Sequence, residues 1–235
     1  MYENKKILAI TLARGGSKSV PKKNIKKIAG KPLIAFTIEE ALKSKHIDDY
    51  IVSTDCKEIA NVANKFGAET PFLRPSEYST DEASSLSAII HAIEFMENAK
   101  GIKYDFFIEL MCTNPLKNNE DIDSVIEKAV KNNAESVIAV HKLDDHHPAR
   151  IKKIVDDKIV DFCIEEPNEA RRQDLKPLAY IRSGSIYCMR RDFIIEKNKR
   201  YGGSDSRPYI LPPDRAINID TMNDFLLAEL ILGNS

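Results

Sequence analysis

The sequence predicts an α/β fold, with a mostly parallel, twisted sheet that carries helices on both faces. Short apolar runs alternate with helical patterns through the first 140 residues, as βαβ units do. A glycine-containing basic loop follows the first apolar run directly, at the position where open α/β sheets bind ligands. The 235 residues, 43% of them hydrophobic, provide one sizeable core but leave little room for two domains.

The first strand is predicted at residues 7–12, and Pro32 opens a helix at residues 33–42 because proline suits the first helical turn. The next elements follow from apolar periodicity and from stop signals such as Gly67. They are a strand at 50–53, a helix at 58–66, a helix at 84–96, a strand at 106–111, a helix at 121–130 and a strand at 136–140.

After residue 140 the pattern changes to short alternating runs and a polar basic stretch. We interpret residues 141–185 as a small β-rich excursion within a single domain that covers residues 1–235. A β-rich segment at 180–189 returns to the core. A short strand that begins at residue 216 and ends at Asp220, and a helix at 224–232, close the chain, with Thr221 as the cap of that helix.

The formal net charge of -1 argues against a nucleic-acid-binding or membrane-surface protein, which usually carries a global basic excess. No apolar stretch reaches the length of a signal sequence or a membrane span, so we expect a cytoplasmic protein. The four cysteines are far apart in the sequence, which indicates reduced thiols rather than a metal site.

The loop at residues 13–24 is predicted to bind a polyphosphate. Gly15 and Gly16 allow the backbone to approach a ligand and to present N–H groups to it. The loop supplies four cations, which are Arg14, Lys18, Lys22 and Lys23. Its spacing matches neither a Walker A loop nor a dinucleotide fingerprint. A solvated basic turn is the alternative, and the location after a buried strand favours the ligand site.

Three further places could contribute chemistry. Asp220 follows a short apolar run and is a candidate ligand for Mg²⁺, although it could instead support the helix that follows. Arg74 and the serines at 84 and 85 precede a helix, which predicts either an anion or ribose site or a capped helix. Arg172 and its neighbours could recognise a carboxylate or phosphate, but alone they favour a surface patch of ion pairs.

Taken together, the motifs resemble those of the acylneuraminate cytidylyltransferases over nearly the whole chain. No single motif is specific, but their order is. The matching segments are residues 12–18, 23–24, 52–55, 73–77, 113–116, 146–148, 172–175, 184–187 and 218–221.

This resemblance implies a Rossmann-like nucleotide-diphospho-sugar transferase fold, and a homodimer in which the excursion reaches the partner subunit. It implies CTP and a sugar acid as substrates. CTP would be held by Leu12, Ala13, Arg14, Gly15, Gly16, Ser17, Lys23, Asn24, Arg74, Ser84 and Ser85. The sugar acid would be bound by Met111, Arg150, Arg172, Gln173 and Tyr187.

The resemblance also implies that Lys23, Arg172 and Asp220 take part in catalysis, and that Asp220, with Asn218, holds Mg²⁺. Two departures concern the substrate and the metal. Met111 stands where a glutamine is usual, and Asn218 where many members have a second aspartate. A nonulosonate such as legionaminate is therefore a contender beside sialic acid. The alternatives are an enzyme for Kdo or another sugar, and a non-catalytic nucleotide-binding paralogue.

Overall fold

The computed structural model describes residues 1–17, 20–80, 82–143, 145–167 and 171–233. The strands in these ranges are β1 (Ile7–Leu12), β2 (Lys27–Ile28), β3 (Lys31–Pro32), β4 (Asp49–Ser53), β5 (Phe106–Leu110), β6 (Ser136–Lys142), β7 (Lys152–Val155), β8 (Lys158–Asp161), β9 (Tyr180–Arg190) and β10 (Ser206–Ile210). The helices are α1 (Leu33–Lys43), α2 (Lys57–Lys65), α3 (Ser85–Lys100), α4 (Asn119–Lys131), α5 (Arg191–Ile195) and α6 (Met222–Gly233). None of these helices is both long enough and apolar enough to cross a membrane.

The main sheet, within the described ranges, has six strands in the order β10-β6-β9-β5-β1-β4. β1 pairs in parallel with β4 and β5, and β6 pairs in parallel with β10. β9 lies between β5 and β6 and runs antiparallel to both. The predicted α/β fold with a mostly parallel sheet is therefore confirmed, and one antiparallel strand lies near its centre.

Helices cover both faces of this sheet, as the continuous apolar sequence of β1 indicates. Ile7 and Ala9 of β1 pack in a core with residues of α1, α2 and α4. Leu8 and Ile10 point to the other face and pack with residues of α3 and α5. Because successive strand residues alternate between faces, these four consecutive apolar residues supply both cores and are themselves buried.

The strand predicted at residues 216–220 is wrong. This segment forms no ladder, and its backbone is tied to the rest of the chain by the Ile219 N–H, which donates to the Thr113 carbonyl at 2.8 Å. In the main sheet, the strand that the sequence analysis missed is β10, which contains Pro208. Proline lacks an N–H donor, so β10 is tolerated at the edge of the sheet, where only β6 pairs with it.

The chain leaves the main sheet after β6 and returns to it at β9. Between them, β7 and β8 form a separate antiparallel hairpin. The hairpin and the residue that follows it expose large apolar side chains: Ile154 is 78% exposed, Ile159 76% and Phe162 60%. The described part of the chain therefore leaves these apolar side chains exposed to solvent.

Lys117 lies buried behind the carboxyl end of β5. Its Nζ donates to Thr37 Oγ1 of α1 at 2.7 Å, and to the carbonyls of Met111 and Asn114 at 2.7 and 2.6 Å. Burial lowers the pKa of Lys117 to about 7, and the three acceptors stabilise the ammonium form against this effect. The ammonium joins α1 to the loop that follows β5.

The substitution Lys117→Met should lower the free energy of unfolding by about 2–4 kcal/mol, because three buried oxygen acceptors lose their donor. Urea unfolding followed by circular dichroism measures the change. Lys131→Met is the matched control, since Lys131 pairs with Glu127 on the surface of α4, and its unfolding midpoint should not move. Equal midpoints for both variants would contradict a supporting role for the buried ammonium.

Candidate active site

A cavity of about 410 Å³ opens at the carboxyl ends of β1 and β5. The loop after β1, the loop after β5 and the segment before α6 all contribute to its wall. The lining residues are Leu12, Arg14, Ser17, Lys23, Asn24, Ser85, Glu109, Met111, Cys112, Thr113, Arg200 and Asp220. Residues distant in the sequence share this cavity because neighbouring parallel strands end at the same edge of the sheet.

The loop after β1 is held in place by Asp55 and Asn24. The Gly15 N–H donates to Asp55 Oδ1 at 2.9 Å. Asn24 Nδ2 donates to the Arg14 carbonyl at 3.0 Å, and Asn24 Oδ1 accepts from the Cys112 thiol at 3.2 Å. Protein partners therefore set the shape of the loop, and the N–H of Gly15 is directed to Asp55 rather than to the cavity.

Other residues of this loop differ in their access to the cavity. Leu12 and Ser17 line it, whereas Ala13 is fully buried and packs in the core below. A Cβ at Gly16 would meet no described atom within 4 Å. Lys18, which we expected to add positive charge, lies outside the described residues.

The two lysines at the end of the loop have different partners. Lys23 Nζ donates to the Ile219 carbonyl at 2.7 Å and lies 3.5 Å from Asp220 Oδ1, so it connects the loop to the segment before α6. Lys22 pairs with Glu58 Oε2 of α2 at 2.8 Å. Lys23 and Arg14 therefore bring positive charge to the cavity wall, whereas Lys22 is engaged on the outer surface.

A second cavity of about 390 Å³ adjoins the first. The residues common to both are Leu12, Arg14 and Ser85. The side chain of Arg74 is buried in its wall, where Nε donates to Ser79 Oγ at 3.1 Å and Nη2 lies 3.8 Å from Asp55 Oδ1. Burial lowers the pKa of Arg74, and the charge of Asp55 opposes that shift. Asp55 therefore supports both the first loop and this guanidinium.

The N-terminus of α3 separates the two cavities. Ser84 is the N-cap, and its side chain accepts from the Ser87 N–H at 3.1 Å. Ser85, the first helical residue, lines both cavities. The capped helix that the sequence predicted is therefore present, and the same helix end faces the cavities with the positive end of its dipole.

Asp220 carries an exposed carboxylate, with 68% of its side chain accessible, in the wall of the main cavity. Asn218 Nδ2 donates to Asp220 Oδ2 at 2.6 Å. Just beyond, the Asp224 N–H donates to Thr221 Oγ1 at 3.3 Å, and Asp224 Oδ2 accepts from the Thr221 N–H at 2.7 Å. Thr221 thus caps α6 as predicted, and the carboxylate of Asp220 is left to face the cavity.

This donor set fits a cation shared with a ligand. The described residues contain no group of three or more His, Cys, Asp or Glu side chains that could hold a metal ion. Mg²⁺ is commonly bound by one or two carboxylates together with substrate phosphates. Asp220 offers one such carboxylate, and the amide of Asn218 holds it in orientation.

Sequence reasoning missed a pair of charged residues on the β5 side of the main cavity. Arg200 Nε and Nη2 donate to Glu109 Oε2 and Oε1, each at 2.8 Å. Glu109 lies directly opposite Tyr187 in the β5–β9 register, on the same face of β5 as Met111. A signal was available, because Glu109 is the one charged residue of the buried strand β5.

Three predicted substrate residues lie away from the main cavity of this chain. Arg172 and Gln173 line a separate cavity of about 80 Å³. Arg172 pairs with Asp145, and Arg150 Nε lies 3.6 Å from Glu166 Oε1. In the described part of the chain, none of the three lines the main cavity, so a role there requires a second copy of the chain.

Comparison with known proteins adds to this geometry. The family described as cytidylyltransferase matches residues 8–201. Pseudaminic acid cytidylyltransferase of Campylobacter jejuni is 34% identical over 233 residues, which cover 96% of each chain. CMP-N,N'-diacetyllegionaminic acid synthase of Legionella pneumophila is 32% identical over 237 residues, covering 97% of this chain and 96% of that protein.

Among solved structures, the fold resembles that of CMP:2-keto-3-deoxy-manno-octonic acid synthetase complexed with CTP. The TM-score is 0.70, with 97% of this chain and 99% of that chain covered. The identity is 17%, so this likeness concerns the fold.

The substitution Gly15→Ala should destabilise the loop, whereas Gly16→Ala should not. A Cβ at Gly15 would lie 3.0 Å from Cys56 Cβ, and that neighbour is too close to the backbone to move aside. Overpacking of this kind costs about 1–3 kcal/mol, which urea unfolding would measure. Hydrogen exchange of the residue 15 amide should also accelerate as its bond to Asp55 is lost. Two variants of equal stability would contradict the close packing.

Proposed function

The chain belongs to the cytidylyltransferase family, and we propose that it transfers the cytidylyl group of CTP to a 2-keto sugar acid of the nonulosonate class, with release of pyrophosphate. The observation that carries this proposal is the position of Arg14, Lys23 and Asp220 around one cavity at the carboxyl edge of the sheet. Two cations and an exposed carboxylate in one wall suit a nucleoside triphosphate and its metal ion. The adjoining cavity beside Arg74 gives the nucleoside a place next to its phosphates.

The reaction is a displacement at phosphorus. The anomeric hydroxyl oxygen of the sugar acid forms a bond to the α-phosphorus of CTP, and the bond from that phosphorus to the oxygen bridging to the β-phosphorus breaks. The hydroxyl proton is released, and pyrophosphate carries away the developing negative charge. Arg14 and Lys23 stabilise that charge, so the protein contributes positioning and electrostatic stabilisation rather than a covalent intermediate.

Mg²⁺ is the proposed cofactor, and Asp220 would hold it. When bound, it would neutralise charge on the triphosphate. Asn218 keeps the carboxylate of Asp220 oriented through its amide, and Lys23 lies beside the other carboxylate oxygen. We also propose that Asp220 assists removal of the hydroxyl proton, because it is the exposed carboxylate in the cavity wall.

The sugar acid is proposed to be a nonulosonate of the pseudaminic or legionaminic kind. The relatives named for these two acids align with this chain over nearly its full length. Met111 supports the same choice, because an apolar side chain in the cavity wall replaces the glutamine expected for sialic acid. A less polar substituent of the sugar would pack against it.

We propose that two copies of the chain form the working enzyme. The apolar side chains exposed on and beside the β7–β8 hairpin give a surface for association. Residues 141–185 of one copy would then bring Arg150, Arg172 and Gln173 to the cavity of the other. We place the reaction in the cytoplasm, where CTP is available.

A substrate panel tests the reaction. With CTP and Mg²⁺, we expect pyrophosphate release with pseudaminic or legionaminic acid, and a product mass equal to that of the CMP-sugar. ATP, GTP and UTP should give no product. Turnover of Kdo or a sugar 1-phosphate alone would reassign the chain to another nucleotidylyltransferase. CTP binding without turnover across the panel would indicate a non-catalytic paralogue.

The substitution Asp220→Asn should lower kcat at least about a hundredfold, because a neutral amide cannot replace the carboxylate toward a metal ion or a proton. Asp214→Asn is the control, since Asp214 is exposed in the same segment but does not line the main cavity. Initial rates of pyrophosphate release measure the effect, and circular dichroism checks the fold. Wild-type rates for Asp220→Asn would remove Asp220 from the mechanism.

A further inference from the structure

The Glu109–Arg200 pair is an unusual element in the wall of a cavity. The Glu109 side chain is 4% exposed and the Arg200 side chain 18%. Burial alone lowers the pKa of Arg200, but the charge and hydrogen bonds of Glu109 outweigh it and raise that pKa. Burying the carboxylate of strand β5 together with its guanidinium partner is costly, and an apolar pair would stabilise the fold at least as well. This cost points to a role in binding.

Arg200 has donors left over for a ligand. A guanidinium carries five N–H groups, and Glu109 accepts two of them in a side-on arrangement. No other described residue accepts a hydrogen bond from Arg200. Its planar group lies near the rings of Tyr187 and Tyr201, with Cζ 5.3 and 5.9 Å from their centroids. The guanidinium is therefore fixed in position, and Arg200 lines the main cavity.

The charge balance of the pair limits what it can bind. Glu109 already neutralises Arg200, and both of its carboxylate oxygens lie 2.8 Å from the guanidinium. A ligand carboxylate at Arg200 would stand close to that of Glu109 and be repelled. An uncharged oxygen accepts the same hydrogen bonds without this repulsion.

We infer that Arg200, oriented by Glu109, determines substrate specificity by donating hydrogen bonds to an uncharged oxygen of the sugar acid, either a hydroxyl or the carbonyl of an acylamino group. This inference rests on the proposed function and deepens it. Arg14 and Lys23 serve the phosphates, and Arg200 serves the sugar beside Met111. The carboxylate of the acid is bound elsewhere.

The test compares three variants with the wild type. Arg200→Met removes the donors, and Arg200→Lys keeps the charge but loses the planar fork. Glu109→Gln removes the neutralising charge. The matched control is Arg191→Met, because Arg191 donates to the buried Glu97 through Nε and Nη2, at 2.8 and 3.0 Å, but does not line the main cavity.

For each protein, KM is measured for CTP and for each acid of the panel, with Ki measured for acids that only inhibit. Arg200→Met should lower kcat/KM for the sugar acid at least about tenfold and leave KM for CTP within about twofold. Arg200→Lys should recover part of the loss. Arg191→Met should lower the unfolding temperature and leave both KM values unchanged.

Comparison of the acids identifies the sugar oxygen that accepts from Arg200. A loss confined to acids with acylamino groups supports the carbonyl, and an equal loss with Kdo supports a hydroxyl. Glu109→Gln should raise KM for the sugar acid, because Arg200 loses its orientation. A lower KM would mean that Arg200 binds the carboxylate, and it would overturn the inference, as would an Arg200→Met enzyme with wild-type sugar kinetics. A wild-type chain that turns over no acid would overturn the proposed function itself.

Discussion

The main cavity depends on the hydrogen bonds that the buried ammonium of Lys117 donates. Its three acceptors belong to α1, to the residue that follows β5 and to the loop beyond. The carbonyl of Thr113 in that loop accepts from the Ile219 N–H at 2.8 Å, so the segment before α6 is fastened to it. Because the ammonium is buried away from water, it must keep these acceptors, and the loop has little freedom to move.

Around this loop, the charged residues that line the cavity have different partners from those on the outer surface. Lys22 is neutralised by Glu58 outside the cavity, whereas Lys23 and Arg14 line it. On the β5 side of the cavity, Arg200 is paired with Glu109 within the wall. A chain with a formal net charge of -1 can therefore present a cationic region and a neutral, hydrogen-bonding region in one cavity, which the proposed phosphate and sugar sites require.

Local sequence signals were sufficient to predict most of the strands and helices. Apolar runs located β1, β4, β5 and β6, and serine, threonine and glycine marked helix ends. They failed near the C-terminal end, where Ile217 and Ile219 resemble a strand but Ile219 is instead buried beside α6. They also missed β10, because Pro208 is unfavourable in a strand unless that strand lies at the edge of a sheet, and edge position is not a local property.

The features of the site also divide into those that the sequence indicates and those that only the tertiary structure shows. The sequence by itself determined that the chain is a cytidylyltransferase-like α/β protein, and that Arg14, Lys23, Arg74 and Asp220 are concentrated after strands or before helices. Only the tertiary structure decided which charges face the cavity, that Asp55 holds the Gly15 amide, and that Arg200 reaches Glu109 across 91 positions. The physical reason is that hydrophobic periodicity is a local pattern, whereas the partner of a buried charge is chosen by the packing of strands distant in the sequence.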